Sequence, residues 1–140
     1  MTALMRPART FVGVSLLALL LLTGCGGSGG VTANLTDTAI QVAPSTVTAG
    51  DITFHIKNAS ATTMHEFVIV QTDLSAEQLP MDADGNVAED KLTSPGEKGD
   101  IAAGQSTDLT LKLPAGHYML ICNLPQHFKE GMHTSFTVTP

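Results

Sequence analysis

Alternation of apolar and polar residues dominates the chain from residue 31 onward, and this period of two restricts the fold more than any other feature. In DITFHIK, for example, Ile52, Phe54 and Ile56 share one face of an extended chain. The same alternation occurs in VTANLT (31–36), DLTLKL (108–113) and SFTV (135–138), and HEFVIV (65–70) carries Phe67 and Ile69 in phase with His65. Glycine and proline separate these runs in TAGD, PAGH and EGMH. Short strands with turns between them predict one all-β domain over 31–140, an antiparallel β-sandwich or barrel.

The segment that precedes this domain is predicted to be a signal peptide, covering residues 1–24. Arg6 and Arg9 form a basic start, and the apolar run FVGVSLLALLLL (11–22) follows them. The run is too short for a comfortable membrane span. We therefore expect the segment to direct export and to be removed.

The tetrapeptide LTGC at the end of the apolar run resembles the bacterial lipobox, in which the cysteine is lipidated and becomes the new N-terminus. On this interpretation Cys25 carries the lipid, and residues 25–30 form the lipidated cysteine and a glycine-rich tether. The alternatives are an uncleaved anchor helix, or an ordinary signal peptide in which Cys25 is incidental.

The charge of the chain excludes some partners. Thirteen acidic residues outnumber seven basic ones, a net charge of −6, and cleavage would remove Arg6 and Arg9 without removing an acid. Such a surface does not suit nucleic acid or adhesion to anionic lipid, so the acyl chains would provide the membrane attachment. It favours a basic protein partner. The sequence thus predicts a lipid-anchored extracytoplasmic protein, on the cell membrane or its periplasmic face.

An acidic, polar stretch at 82–100 interrupts the strand pattern. Its spacing of acids suggests a calcium loop, but Gly85 falls at the fourth position, whereas an EF-hand needs glycine at the sixth. Because charge runs usually face water, we expect a solvated flap.

Cys122 is a cysteine that needs an explanation. If Cys25 is acylated, Cys122 has no partner in the chain, and a lone thiol in an oxidising compartment is a liability unless something occupies it. The alternation in HYMLIC places Cys122 on the inward face at the end of a strand, which Pro125 then stops. The simpler alternative is a buried, inert cysteine.

The residues after Cys122 favour a metal site. His127 follows it by five positions, and Met132 follows His127 by five, with Gly131 giving the backbone freedom to turn. His65, at the start of another strand, is the best candidate for a fourth ligand. One thiolate, two imidazoles and one thioether are the ligands of a blue copper electron-transfer centre.

The segment YMLICNLPQHFKEGMHTSFTV (118–138) resembles the copper loop of the cupredoxins, the family of plastocyanin, azurin and rusticyanin. IAAGQSTDLTLKLPAG (101–116) and NASATTMHEFVIV (58–70) are similar to other landmarks of that family. The resemblance implies a Greek-key sandwich of about eight strands that holds one copper ion. By position, the implied ligands are His65, Cys122, His127 and Met132. It also implies that the carbonyl of Met64 approaches copper from the opposite axial side.

Two residues depart from the family pattern. Glu66 stands where many cupredoxins have asparagine, and we expect it to bond Asn123 and hold the two ligand segments together. A carboxylate so close to the thiolate would lower the reduction potential. Gln126 stands where glycine is frequent, which affects the expected path of the loop.

The predicted function is a monomeric, mononuclear type 1 copper protein that carries single electrons between extracytoplasmic redox partners, such as a cytochrome or a terminal oxidase or reductase. Electrons would pass through His127, amid an apolar patch of Leu124, Pro125 and Phe128. The alternatives are a copper-delivery lipoprotein with the same ligands, and a β-sandwich interaction module without metal.

An enzyme is not expected. Copper oxidases and nitrite reductases need additional histidines, but His55 and His117 are predicted to be solvated and His133 to point away from the site. A cysteine protease would need a Cys–His pair free of metal, with a third residue to orient it.

Overall fold

The computed structural model describes residues 30–140; the predicted signal peptide and Cys25 lie outside the described residues. Nine strands are present: β1 (Gly30–Thr36), β2 (Ala39–Ala43), β3 (Thr46–Thr48), β4 (Gly50–Asn58), β5 (His65–Gln71), β6 (Thr93–Ile101), β7 (Ser106–Leu113), β8 (Gly116–Ile121) and β9 (His133–Thr139). Short 3₁₀ turns occur at Ala76–Gln78 and Glu89–Lys91. The all-β prediction is confirmed, with nine strands where about eight were expected. Within residues 30–140, no helix has the length and apolar character needed to cross a bilayer.

The strands form a sandwich of two sheets, with the orders β2-β1-β4-β7 and β3-β9-β8-β5-β6. The expected antiparallel pairing holds for five of the seven strand pairs, but β1 pairs with β4 in parallel and β3 pairs with β9 in parallel. A parallel pair needs a crossover connection, and the chain makes one when it leaves β2 and enters the other sheet as β3. Alternation in a sequence shows which face is buried but not the direction of the neighbouring strand.

The core lies between the sheets, where the alternating pattern placed it. Most of the predicted inward side chains are buried, while Leu109 and Leu111 are only partly buried; the buried ones include Val31, Ala33, Leu35, Ile52, Phe54, Ile56, Phe67, Ile69, Leu113, Phe136 and Val138. At its centre the ring of Phe54 contacts those of Phe67 and Phe136, with both centroid distances 5.4 Å. Aromatic pairs at this separation stabilise a core beyond their buried area.

Most of the acids in 82–100 face water as predicted, but the segment does not form a detached flap. Its second half belongs to β6, which pairs with β5. Residues 79–92, here named the covering segment, pack on the outer face of β5 and β8. Side chains of this segment, of both strands and of the loop after β8 form a second apolar cluster there: Val68, Val70, Leu79, Val87, Met119, Ile121 and Phe128. The physical reason lies in the strands, since the runs FVIV and YMLIC are apolar on both faces and need a cover on each.

Candidate metal centre

The site begins with the pairing of β5 and β8. These strands are antiparallel neighbours, in a register that places Val68 opposite Ile121. The start of β5 therefore lies beside the end of β8. Past the paired residues, the backbone N–H of Glu66 donates to the Sγ of Cys122 at 3.4 Å. His65 and Cys122, 57 positions apart in the chain, become neighbours by register alone.

Backbone hydrogen bonds close the loop between Cys122 and Met132. The N–H of Cys122 donates to the carbonyl of Met132 at 3.0 Å, and the N–H of Met132 donates to the carbonyl of His127 at 3.1 Å. The N–H of His127 in turn donates to the carbonyl of Leu124 at 3.0 Å. The three predicted ligands of this loop are thus joined through their own main chain.

Gln126 and Gly131 both adopt positive φ in this loop. The φ of Gln126 is 72°, in the left-handed region that only glycine enters without steric cost, so the glycine frequent there in cupredoxins has a backbone reason. Gly131 has a φ of 109°, and a Cβ placed on it would lie 2.8 Å from the carbonyl oxygen of Thr38. The backbone thus adopts positive φ at Gln126 although this residue is not glycine, and the close carbonyl of Thr38 requires glycine at 131.

Three donor atoms converge in the site. The Nδ1 atoms of His65 and His127 are 3.2 Å apart, and the Nδ1 of His127 is 3.3 Å from the Sγ of Cys122. All three donor atoms lie within 4.8 Å of one another. Met132 is buried in the same apolar cluster as Cys122. His65, Cys122 and Met132 are each 0% exposed, whereas His127 is partly exposed.

Burial favours the neutral forms of His65 and Cys122 in the absence of a metal. It lowers the pKa of His65, and the neighbouring His127 lowers it further. Burial also raises the pKa of the Cys122 thiol, while the backbone N–H groups of Glu66 and Leu124 favour the thiolate and limit the rise. A bound cation would offset the cost of a buried thiolate, so this donor set fits a soft or borderline metal ion.

The loop before β5 positions His65 through Asn58, which the sequence reasoning missed. The side-chain amide of Asn58 is fully buried and donates to the carbonyls of Thr63 and Ile101, at 2.8 and 2.9 Å. Its Oδ1 accepts the N–H of Ser60 at 2.9 Å. A buried asparagine that satisfies three backbone groups fixes a loop. In the sequence it appears only as one more polar residue of a turn.

Asn123 joins the covering segment to residues 122–132, which resemble the cupredoxin copper loop and are here named the copper loop. Its side chain accepts the N–H of Val87 at 2.7 Å and donates to the carbonyl of Val87 at 2.9 Å and to Glu89 at 2.7 Å. The N–H of Asn123 donates to Glu66 Oε1 at 2.8 Å, and burial raises the pKa of that carboxyl group. Asn123 thus connects three segments directly after Cys122.

The sequence suggested that Phe128 belongs to an apolar surface patch, but the structure buries it. It is 8% exposed and packs in the second apolar cluster, under the covering segment. Leu124 is partly exposed and Pro125 exposed, as a patch requires, and Met64, 43% exposed, precedes β5. The approach of the Met64 carbonyl to a metal stays a prediction.

The other histidines do not join the donor atoms. His55 is exposed and its Nδ1 lies 2.9 Å from Asp108, and His117 is exposed at the start of β8. The ring of His133 stacks on Phe128, with centroids 4.9 Å apart.

We expect Asn123→Ala to loosen the covering segment. The substitution leaves the N–H of the buried Val87 without a partner, which costs about 1–3 kcal/mol if the group stays buried, while the carbonyl of Val87 keeps the N–H of Glu89 as its donor. Amide hydrogen exchange should accelerate over residues 80–91, while the β4–β7 pair keeps its protection.

Asn86→Ala is the matched control, because it makes the same change in the same segment and the Asn86 side chain has no hydrogen bond within residues 30–140. Equal exchange in the two variants would show that Asn123 does not hold the segment.

Comparison with known proteins agrees with this geometry. Among solved structures, auracyanin from Roseiflexus castenholzii aligns with a TM-score of 0.61 and 21% identity, covering 81% of this chain and 98% of its own. Auracyanin A from Chloroflexus aurantiacus, described as a "blue" copper protein, aligns with a TM-score of 0.57 and 26% identity, covering 79% and 100%. Rusticyanin from Thiobacillus ferrooxidans aligns with a TM-score of 0.53 and 21% identity, covering 79% and 76%.

These likenesses show a cupredoxin-like fold. No curated protein sequence matches the chain. The sulfocyanin (SoxE) domain matches residues 27–140, which is most of the chain. A histidine–cysteine–histidine cluster beside a buried methionine, in this fold, has the composition of a type 1 copper site, and copper is its cofactor. The chain belongs to the sulfocyanin domain family of blue copper proteins, which are electron carriers and not enzymes.

Proposed function

We propose that His65, Cys122, His127 and Met132 bind one copper ion, and that the protein carries single electrons between extracytoplasmic redox partners. The observation that carries the proposal is the convergence of the two Nδ1 atoms and the Sγ within 4.8 Å, with Met132 buried beside Cys122. Copper supplies a one-electron couple between Cu(I) and Cu(II) when bound.

The chain's own residues suit both oxidation states. A thiolate and a thioether favour Cu(I), while imidazoles also accept Cu(II). Main-chain hydrogen bonds and register fix these side chains in the folded apoprotein, so little has to move when the charge changes. A fixed environment keeps the reorganisation energy of electron transfer low.

His127 provides the electron route to the surface, because it alone of the four proposed ligands is partly exposed. Leu124, Pro125 and Met64 offer apolar contact area near it. A net charge of −6 favours approach by a basic partner. We propose a small, transient contact of under about 1,200 Å² with a cytochrome or a terminal oxidase or reductase.

The burial of the other ligands disfavours copper delivery. His65, Cys122 and Met132 are each fully buried, so passing copper to an acceptor requires the loop to open.

Attachment to a bacterial membrane through a lipid on Cys25 remains a proposal from the sequence. We expect the protein from bacterial membranes to begin at Cys25 and to carry acyl chains on mass spectrometry, and Cys25→Ala to abolish acylation. Unacylated protein that starts at another residue would contradict this, and the amino acid at the new start would identify the true cleavage site.

Adding Cu(II) to the apoprotein should produce an intense visible absorption band from thiolate-to-copper charge transfer. Reduction should remove the band, and Cys122→Ser should lack it while keeping the fold. A freely reactive thiol with no band would show that the four residues do not bind copper together.

A chelator challenge of the copper-loaded protein distinguishes an electron carrier from a copper-delivery protein. A carrier should keep its copper against a chelator through repeated cycles of oxidation and reduction. Release within a few cycles would favour delivery. A zinc-loaded sample serves as a colourless control, since these ligands also accept zinc.

Copper affinity should rise with pH. Binding displaces the thiol proton of Cys122, whose pKa burial raises, so the thiolate fraction increases about tenfold per unit between about pH 7.5 and about pH 8.5. Burial lowers the pKa of His65, so this ligand is already neutral there and releases no proton. The apparent Cu(II) affinity, measured by competition with a chelator of known protonation, should follow that slope. Cys122→Ser should lose it, and an equal slope in both proteins would contradict the assignment.

A further inference from the structure

The second ring nitrogen of His65 lacks the partner that its position demands. The Nδ1 atom faces His127, so its lone pair points toward the donor cluster. The proton of a neutral imidazole that binds metal through Nδ1 must then be on Nε2. This Nε2 is buried and has no hydrogen bond to any residue from 30 to 140. A buried N–H without an acceptor is costly, so the site calls for one.

The nearest charged oxygen belongs to Asp37. Its Oδ1 lies 3.4 Å from the Nε2 of His65, although the geometry falls short of a hydrogen bond. Asp37 occupies the two-residue turn between β1 and β2, and its side chain is 61% exposed. A small shift of this turn would close the distance while the opposite side of the carboxylate stays in water.

Neighbouring segments hold that turn against the site. Gly131 of the copper loop packs on the carbonyl of Thr38, and the N–H of Ala59 donates to Leu35, close to the turn, at 2.8 Å. Hydrogen bonding from Ser60 lowers the pKa of Asp37, with smaller contributions from His65 and Thr63. The carboxylate is therefore ionised at neutral pH and sits where three segments meet.

We propose that Asp37 is a positioning residue of the metal centre, whose carboxylate accepts the Nε2–H of His65 and thereby favours Cu(II) over Cu(I). An imidazole backed by a carboxylate is a stronger donor, and a negative charge near the site stabilises the more highly charged ion. The second part of this inference rests on the proposed copper function. The first part, the contact between Asp37 and His65, does not.

The contact is tested first in the apoprotein, without metal. Nitrogen-15 NMR of the histidine rings should show His65 as the single Nε2–H tautomer, and Asp37→Ala should mix the two tautomers. Asp108→Ala is the matched control, because Asp108 also lies beside a histidine, His55, away from the donor cluster. An unchanged His65 tautomer in Asp37→Ala would overturn the contact.

The effect on copper is tested by measuring the affinities for Cu(II) and Cu(I) separately, together with the reduction potential. Asp37→Ala should lose about 10–100-fold in Cu(II) affinity and less in Cu(I) affinity, so the potential should rise. Asp37→Asn, which keeps an oxygen acceptor without the charge, should fall between the two. The Asp108 variant should match the unsubstituted protein.

Other outcomes distinguish the contact between Asp37 and His65 from its effect on copper. An equal loss for both ions, together with a lower free energy of unfolding of the apoprotein, would reduce Asp37 to a structural residue of the turn and overturn the inference. If the unsubstituted protein binds no copper but shows the fixed tautomer, the proposed function fails and the contact stands.

Discussion

The antiparallel pairing of β5 and β8 is the interaction on which the centre depends. It places Val68 opposite Ile121, and from that register Glu66 reaches Asn123 while His65 comes beside the end of β8. A slip of one residue would turn every side chain of β5 to the other face of the sheet. In the observed register Phe67 and Ile69 pack in the main core, while Val68 and Val70 pack in the second apolar cluster.

The outer face of the same sheet explains the long connection between β5 and β6. Val68, Val70, Met119 and Ile121 face away from the main core and would meet water without a cover. Residues 79–92 supply the cover, and Phe128 extends from the copper loop into the same cluster. A segment that buries apolar surface thus also anchors the loop, and Asn123 adds polar contacts to that anchor.

Burial gives the site its chemical character. Excluding water keeps His65 neutral and the Cys122 thiol protonated, so a metal ion is what makes a thiolate stable there. The partial exposure of His127 leaves one edge of the cluster accessible. The same packing thus shields His65, Cys122 and Met132 from water and leaves His127 partly exposed.

The sequence by itself determined the faces of the strands, because alternation reports burial directly: Ile52, Phe54 and Ile56 are inward as predicted. It also indicated the donor residues, since the spacing of Cys122, His127 and Met132 within one loop is local information. Only the tertiary structure decided the direction of pairing in β1 and β4, the role of 79–92 as a cover, the burial of Phe128 and the contacts of Asn58. Each of these depends on residues far apart in the chain, and whether a polar or apolar side chain meets water, metal or another segment is fixed only when those segments meet.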